Sequence, residues 1–231
     1  MINIIRNDRR YHFQSDWLST YWHFSFDHYY DPANMGFGPL RVFNDDVIRP
    51  DSGFGMHGHR EMEIITYVIE GELEHRDSTG GQGRIRAGEV QRMSAGTGIR
   101  HSEYNPSKDA PVHLLQVWIE PAVRELEPSY EQKQFAASER AGRLLPVASG
   151  GDSSGVRIHQ DATIYIATIR GGDKIIHRIG EGRRAYLFVI DGRLQLNGQK
   201  LERGDQARIS GVTELEFASS DAAEIYLIDL P

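Results

Sequence analysis

Two short segments carry most of the chemistry available to this chain. Met56-His57-Gly58-His59 sets two imidazoles at i and i+2, and His101-Ser102-Glu103 sets an imidazole and a carboxylate at the same spacing. Along a β-strand, side chains two residues apart point to the same face. Each pair can therefore face one cavity, and two such pairs on neighbouring strands converge as three nitrogens and one carboxylate oxygen. Neutral imidazole and carboxylate suit divalent first-row ions such as Fe, Mn, Co, Ni, Cu and Zn. Four protein ligands around a six-coordinate ion leave two positions open, which is a catalytic pattern more than a structural one. His57, His59, His101 and Glu103 are thus the expected ligands of a single divalent metal ion, with Fe(II) favoured.

One His-x-His arises readily by chance in a chain with 10 His; the joint pattern is what singles these residues out. His75-Arg76-Asp77 has the same spacing but runs into Asp77-Ser78-Thr79-Gly80-Gly81, so it reads as a solvated strand end. His12, His23, His28, His113, His159 and His177 stand alone and read as structural. The absence of Cys excludes disulfides, thiolate catalysis and cysteine-ligated zinc or iron–sulfur sites.

The elements that must position these residues are short strands. The chain has 24 Gly and 9 Pro punctuating runs rich in Val, Ile, Tyr, Phe and Leu, with almost no helical periodicity, which points to an all-β barrel or sandwich. A hairpin is expected where Ile64 to Ile69 meets Glu72 to His75 across Glu70-Gly71. The pattern recurs in Ala185 to Leu196, so that Val-Ile-Glu-Gly-Glu-Leu-Glu from Val68 aligns with Val-Ile-Asp-Gly-Arg-Leu-Gln from Val189, an offset of 121 (189 − 68). Gly88-Glu89 likewise has a counterpart in Gly204-Asp205. Two related β-domains follow, with the boundary in Pro121 to Gln134. Phe135 to Ala141 could form one short helix, and residues 149–155 read as an exposed loop. Met62, Tyr67, Met93 and Trp118 are candidates for an apolar wall beside the metal, with plain core packing the competing reading. The aromatic run Tyr21 to Tyr30 suits a strand packed on one face.

A length of 231 residues allows one large or two small domains. The net charge of −7, with basic residues dispersed among acids, weighs against nucleic acid as a partner. No apolar run approaches the roughly 20 residues that would span a bilayer, and the first residues lack the apolar core of a secretory signal, so a cytoplasmic protein is expected.

At these residues the chain resembles the cupin superfamily and, within it, the pirin family. The segments that carry the resemblance are His23-Phe24-Ser25-Phe26 with Tyr30-Asp31-Pro32, Leu40-Arg41-Val42 with Asn44-Asp45-Asp46, His57-Gly58-His59-Arg60 with Glu63, and Ser94 to Glu103. It runs over nearly the whole chain. The general cupin motifs fit imperfectly: Glu63 is followed by seven residues before Gly71 rather than six, and Ser94 stands where the second motif has proline. Glu63 is therefore set aside as a ligand, and Glu103 occupies the place of the acid that pirins use two residues after the last histidine. The resemblance implies two tandem cupin (jelly-roll) β-barrels packed face to face, over residues 1–125 and 126–231, in a monomer. The metal belongs to the first barrel alone, because the offset of 121 puts Arg178 and Gly180 where His57 and His59 would fall. It also implies oxygenase activity on flavonols such as quercetin, with O2 as co-substrate, ring opening and release of carbon monoxide. Glu103 would then both bind the metal and accept the 3-hydroxyl proton of the flavonol. Pirins of eukaryotes are associated with redox-sensitive regulation through protein contacts, which gives a second reading, and a sugar-isomerase-like or storage cupin is a third.

Overall fold

The computed structural model describes residues 1–151 and 154–231, so Asp152 and Ser153 of the expected loop lie outside the described residues. The strands of the first half are β1 (Ile2–Ile5), β2 (Tyr11–Gln14), β3 (Leu18–Trp22), β4 (Leu40–Ile48), β5 (Ser52–His59), β6 (Glu63–Glu70), β7 (Glu72–Asp77), β8 (Gln82–Arg86), β9 (Glu89–Ser94), β10 (Ile99–Asn105), β11 (Val112–Ile119) and β12 (Ser129–Gln134). Those of the second half are β13 (Leu145–Ser149), β14 (Val156–Arg157), β15 (Thr163–Arg170), β16 (Lys174–Arg178), β17 (Arg184–Leu196), β18 (Gln199–Glu202), β19 (Gln206–Ser210), β20 (Glu214–Ala218) and β21 (Ala222–Leu230). The fold is all-β, and no helix among the described residues is long and apolar enough to cross a membrane.

Two compact units interleave along the chain. One holds Tyr11–Gln134 with Val156–Gln160; the other holds Met1–Arg10, Phe135–Gly155 and Asp161–Pro231. The His-bearing unit consists of a seven-stranded antiparallel sheet in the order β12-β9-β6-β11-β4-β3-β2 and a four-stranded sheet in the order β5-β10-β7-β8. Leu18, Ile48, Val68, Val112 and Leu114 from the first sheet pack with Leu73 and Ile85 from the second, so the two sheets share one core. Each such fully buried side chain contributes roughly 1.5–3 kcal/mol.

The expected hairpin at Glu70-Gly71 is not one. Strand β6 pairs with β9 and β11, whereas β7 pairs with β8 and β10, so the chain crosses from one sheet to the other at this point. A tight two-residue hairpin of type I′ needs positive φ at both turn residues, but only Gly71 has it, at φ +84. A Cβ there would lie 2.7 Å from the Pro111 carbonyl oxygen, so glycine is required both for the backbone angle and for the close approach. The second copy is one continuous strand, β17, with Gly192 at φ +82, and it carries β19 and β21 on one stretch and β18 on the other. The repeat is real, but what repeats is a corner between sheets.

In the C-terminal unit, β1, β19, β17, β21, β15 and β13 lie side by side, while β16 pairs with β20. Its hydrophobic core is aliphatic and aromatic, with Ile169, Leu187, Val189, Leu196, Phe217 and Ile225 fully buried. Arg178, at the position equivalent to His57, is exposed and pairs with Glu214 at 3.4 Å. The helix expected over Phe135 to Ala141 is an isolated turn. Its carbonyl at Ala136 accepts from Glu139 N at 2.9 Å, the Glu139 carboxylate accepts from Ala136 N at 2.7 Å, and the side chain of Phe135 is buried as an anchor. Local capping closes the turn before a helix can propagate.

Candidate metal centre

Strands β5 and β10 are antiparallel neighbours, and their register sets His57 opposite His101 and His59 opposite Ile99. The i, i+2 pairs thus face one another. His101 Nε2 lies 2.9 Å from His59 Nε2 and 3.1 Å from His57 Nε2. A bulge places one extra residue in β5, three steps from His57 to Phe54 against two from His101 to Glu103, so that Glu103 falls opposite Phe54, while β10 pairs with β7 in unbroken register.

Hydrogen bonds behind the imidazoles decide which nitrogens face inward. His57 Nδ1 sits 2.7 Å from the Gly55 carbonyl oxygen, which can only accept, so Nδ1 carries the proton and Nε2 offers a lone pair. Behind His101 runs a chain of three groups. The Asp77 carboxylate accepts from His75 Nε2 at 3.1 Å, leaving His75 Nδ1 bare to accept from His101 Nδ1 at 3.5 Å. His101 Nε2 then also offers a lone pair. Burial works against the Asp77 charge, but hydrogen bonds from Thr79, His75 and the backbone N–H groups of Thr79 and Gly81 hold its carboxyl below the usual range. Burial and the neighbouring imidazoles push His59 down to about 4 and His101 down to about 3, so both are neutral in ordinary buffers.

Two lone pairs directed at a third imidazole nitrogen about 3 Å away are repulsive unless a cation lies among them. Ligands held at about 2.1 Å from an ion in octahedral geometry are spaced by about 3.0 Å along each edge. The spacings of 2.9 and 3.1 Å from His101 Nε2 match that edge, so the trio fits a divalent metal. The donor atoms of His57, His59 and His101 all lie within 4.8 Å of one another. Glu103 does not join that group; its carboxylate groups with His101 and His75 instead. Both of its oxygens are engaged, Oε1 by Gln91 Nε2 at 2.7 Å and Thr66 Oγ1 at 3.4 Å, and Oε2 by Gln116 Nε2 at 2.7 Å.

Sequence reasoning missed these amides. Gln91, Thr66, Gln116 and Asn44 form one row across β9, β6, β11 and β4, each opposite the next. The available signal was a polar residue inside a buried apolar strand, as in Leu114-Leu115-Gln116-Val117. His75 is also a correction: it is fully buried rather than a solvated strand end, because β7 runs between β10 and β8. The isolated histidines are satisfied elsewhere, His113 by Asp45 at 2.7 Å, His177 by Asp229 at 2.9 Å and His159 by Glu63 at 3.4 Å. Glu63 accepts from Ser94 Oγ at 2.9 Å and stands outside both donor groups.

A cavity of about 610 Å³ opens onto the three imidazoles and Glu103. Of the four expected wall residues only Trp118 lines it. Tyr67 and Met93 are buried in the core, and Met62 lines a different depression. The wall is built from Phe13, Trp17, Trp22, Phe26 and Phe54. The strand expected through Tyr21 to Tyr30 stops at Trp22, and the rest is a loop closed by a Phe26–Tyr29 bridge. This loop brings Phe26 edge-on to Trp118 at 5.4 Å.

Residues 5–119 match the family described as Pirin, and residues 145–230 match the quercetinase C-terminal cupin domain. The chain is 41% identical to quercetin 2,3-dioxygenase of Escherichia coli K12 over 100% of this chain and 99% of that protein. It is also 41% identical to a pirin-like protein of Caulobacter vibrioides, over 92% of each. Among solved structures, YhhW from Escherichia coli superposes with a TM-score of 0.96 at 41% identity, covering 100% of this chain and 98% of that one. The nickel(II) complex of the same bacterial pirin gives 0.95 at 40% identity, covering 100% and 99%.

Proposed function

The chain belongs to the pirin family, and from that premise we propose that it is a metal-dependent dioxygenase that opens the ring of flavonols such as quercetin with O2, releasing carbon monoxide. The observation that carries the reading is the convergence of three imidazoles at an aromatic-walled cavity. His57, His59 and His101 hold the ion, with Glu103 as its fourth ligand and Fe(II) as the favoured metal. When bound, a divalent ion supplies Lewis acidity that lowers the pKa of a coordinated hydroxyl.

The remaining work falls to the chain. Trp22, Phe26 and Trp118 hold a flat ring system and exclude water around it. The Glu103 carboxylate takes the 3-hydroxyl proton of the flavonol, producing the electron-rich enolate that reacts with dioxygen. Gln91 and Gln116 grip both of its oxygens and keep the base aimed into the cavity. The Asp77–His75 pair fixes the proton on the outer nitrogen of His101 and keeps the inner one free.

The test is to load the purified protein with Fe, Mn, Co, Ni or Cu and follow quercetin absorbance together with oxygen uptake. Turnover is expected with at least one ion, and its absence with every ion would refute the reading. Glu103→Gln is expected to keep bound metal on the three histidines while kcat falls by roughly 10²-fold or more. Turnover at the parental rate would remove the base from the mechanism.

A further inference from the structure

The wall of the cavity formed by β4 carries polar atoms that the reaction above leaves unused. Asn44 and Asp46 lie two residues apart on one face of that strand and both line the cavity. They are buried, at 4% and 2% exposure. Asn44 Oδ1 and Asp46 Oδ1 nonetheless find no hydrogen-bond partner within the protein. Asn44 sits opposite Gln116, whose amide holds Glu103, so the polar stripe runs from the metal-facing carboxylate out along β4. Around the stripe the lining is apolar, with Leu18, Trp22 and Phe54 close at hand. A buried polar atom without a partner is costly, and valine or isoleucine would suit a strand at either position at no such cost. Two adjacent acceptors kept at that cost, on the wall of an otherwise aromatic cavity, are suited to a ligand that is flat, apolar on its faces and rich in hydroxyl donors at its rim.

We propose that Asn44 and Asp46 form a hydroxyl-binding subsite, in which the amide oxygen of Asn44 and the free carboxyl oxygen of Asp46 accept hydrogen bonds from phenolic hydroxyls on the part of the substrate away from the imidazoles. The subsite makes the protein selective for polyhydroxylated aromatic ligands over apolar ones of the same shape. It rests on the flavonol reading for the ligand, and it assigns specificity rather than chemistry to these residues. Burial, opposed by the Thr20 hydroxyl and reinforced by the charges of Asp45 and Glu103, pushes the Asp46 carboxyl up to about 7. Near neutrality it can therefore serve a hydroxyl as acceptor or as donor.

The test compares quercetin with 3-hydroxyflavone, which shares the 3-hydroxy-4-keto group but lacks the other hydroxyls. Binding to the nickel-loaded, full-length protein without oxygen is read from quenching of the tryptophans in the wall. Quercetin is expected to bind about 10- to 100-fold more tightly, because the apolar analogue leaves both acceptors unpaired. In Asn44→Leu and in Asp46→Val that preference should shrink to within about threefold, while Asp46→Asn, which retains an acceptor, should keep most of it. Should Asp46→Val not fold, Asn44→Leu and Asp46→Asn still decide the matter. Equal affinity for the two flavonols in the parent, a preference undiminished in the apolar variants, or no binding of either would each overturn the subsite. Aerobic turnover separates the two proposals. A variant-sensitive preference without turnover on any ion leaves the subsite standing and removes the dioxygenase, whereas turnover of both flavonols with equal KM does the reverse.

Discussion

Replacing Gln116 with leucine deletes one of the two amide grips on Glu103 without touching a proposed ligand. The lost contact is a 2.7 Å hydrogen bond from Nε2 to a buried carboxylate oxygen, of the kind that contributes roughly 1.5–3 kcal/mol. Released on that side, Glu103 keeps Gln91 and Thr66 on its other oxygen and can swing away from the site. Loss of an outer partner of a metal ligand weakens affinity by about 10- to 100-fold. The assay is thermal unfolding with and without nickel at a free concentration of about 100 times the parental Kd. There the parent gains about 2.7 kcal/mol from the metal, and a variant weakened 10- or 100-fold gains about 1.4 or 0.4 kcal/mol. For a chain of this size 1 kcal/mol moves Tm by roughly 2–4 °C. The metal-dependent rise should therefore fall from about 5–10 °C in the parent to about 5 °C or less in Gln116→Leu. If the variant is folded and shows the parental rise, Glu103 is not a ligand that Gln116 positions, and the four-residue site reduces to three histidines.

His75→Phe removes the acceptor behind His101 and strips Asp77 of its imidazole partner, so nickel affinity by titration calorimetry should fall about tenfold and His75→Gln should recover part of it; parental affinity in His75→Phe would refute the relay. Asp46 also gives a pH signature. Its carboxyl is raised from 3.8 to about 7 on folding, so between those values the native state binds more protons and Asp46 makes stability fall as pH rises. Asp46→Asn lacks that slope, and its stability relative to the parent should grow by up to about 4 kcal/mol from pH 4 to pH 7 in denaturant titrations; a constant difference would refute the assignment. Gly71→Ala forces a side chain into a backbone angle of +84 and to within 2.7 Å of a carbonyl oxygen, and should lower stability by about 2–4 kcal/mol. A variant as stable as the parent in denaturant unfolding would show that the corner is not confined to glycine.

What the sequence determined by itself is local. The alternation of strand side chains put His57 with His59, and His101 with Glu103, on common faces, and the offset of 121 between Val68 and Val189 exposed the repeat. Those readings hold because the period of a strand is fixed by covalent geometry. Which strands become neighbours is not fixed that way. Glu70-Gly71 has the composition of a hairpin turn, yet Gly71 carries the chain to the other sheet, because the apolar faces of β6 and β7 are buried on opposite sides of one core. His75 shares its spacing with the metal pairs and a turn-rich flank with solvated strand ends, and only the insertion of β7 between β10 and β8 buries it behind His101. Gln91, Gln116, Asn44 and Asp46 are scattered over strands far apart in the chain, and each alone looks like an ordinary polar residue. Tertiary structure decided that Gln116, Asn44 and Asp46 line one cavity and that Gln91 meets Glu103, since pairing in register is set by the summed burial of whole strands rather than by any residue that ends up at the site.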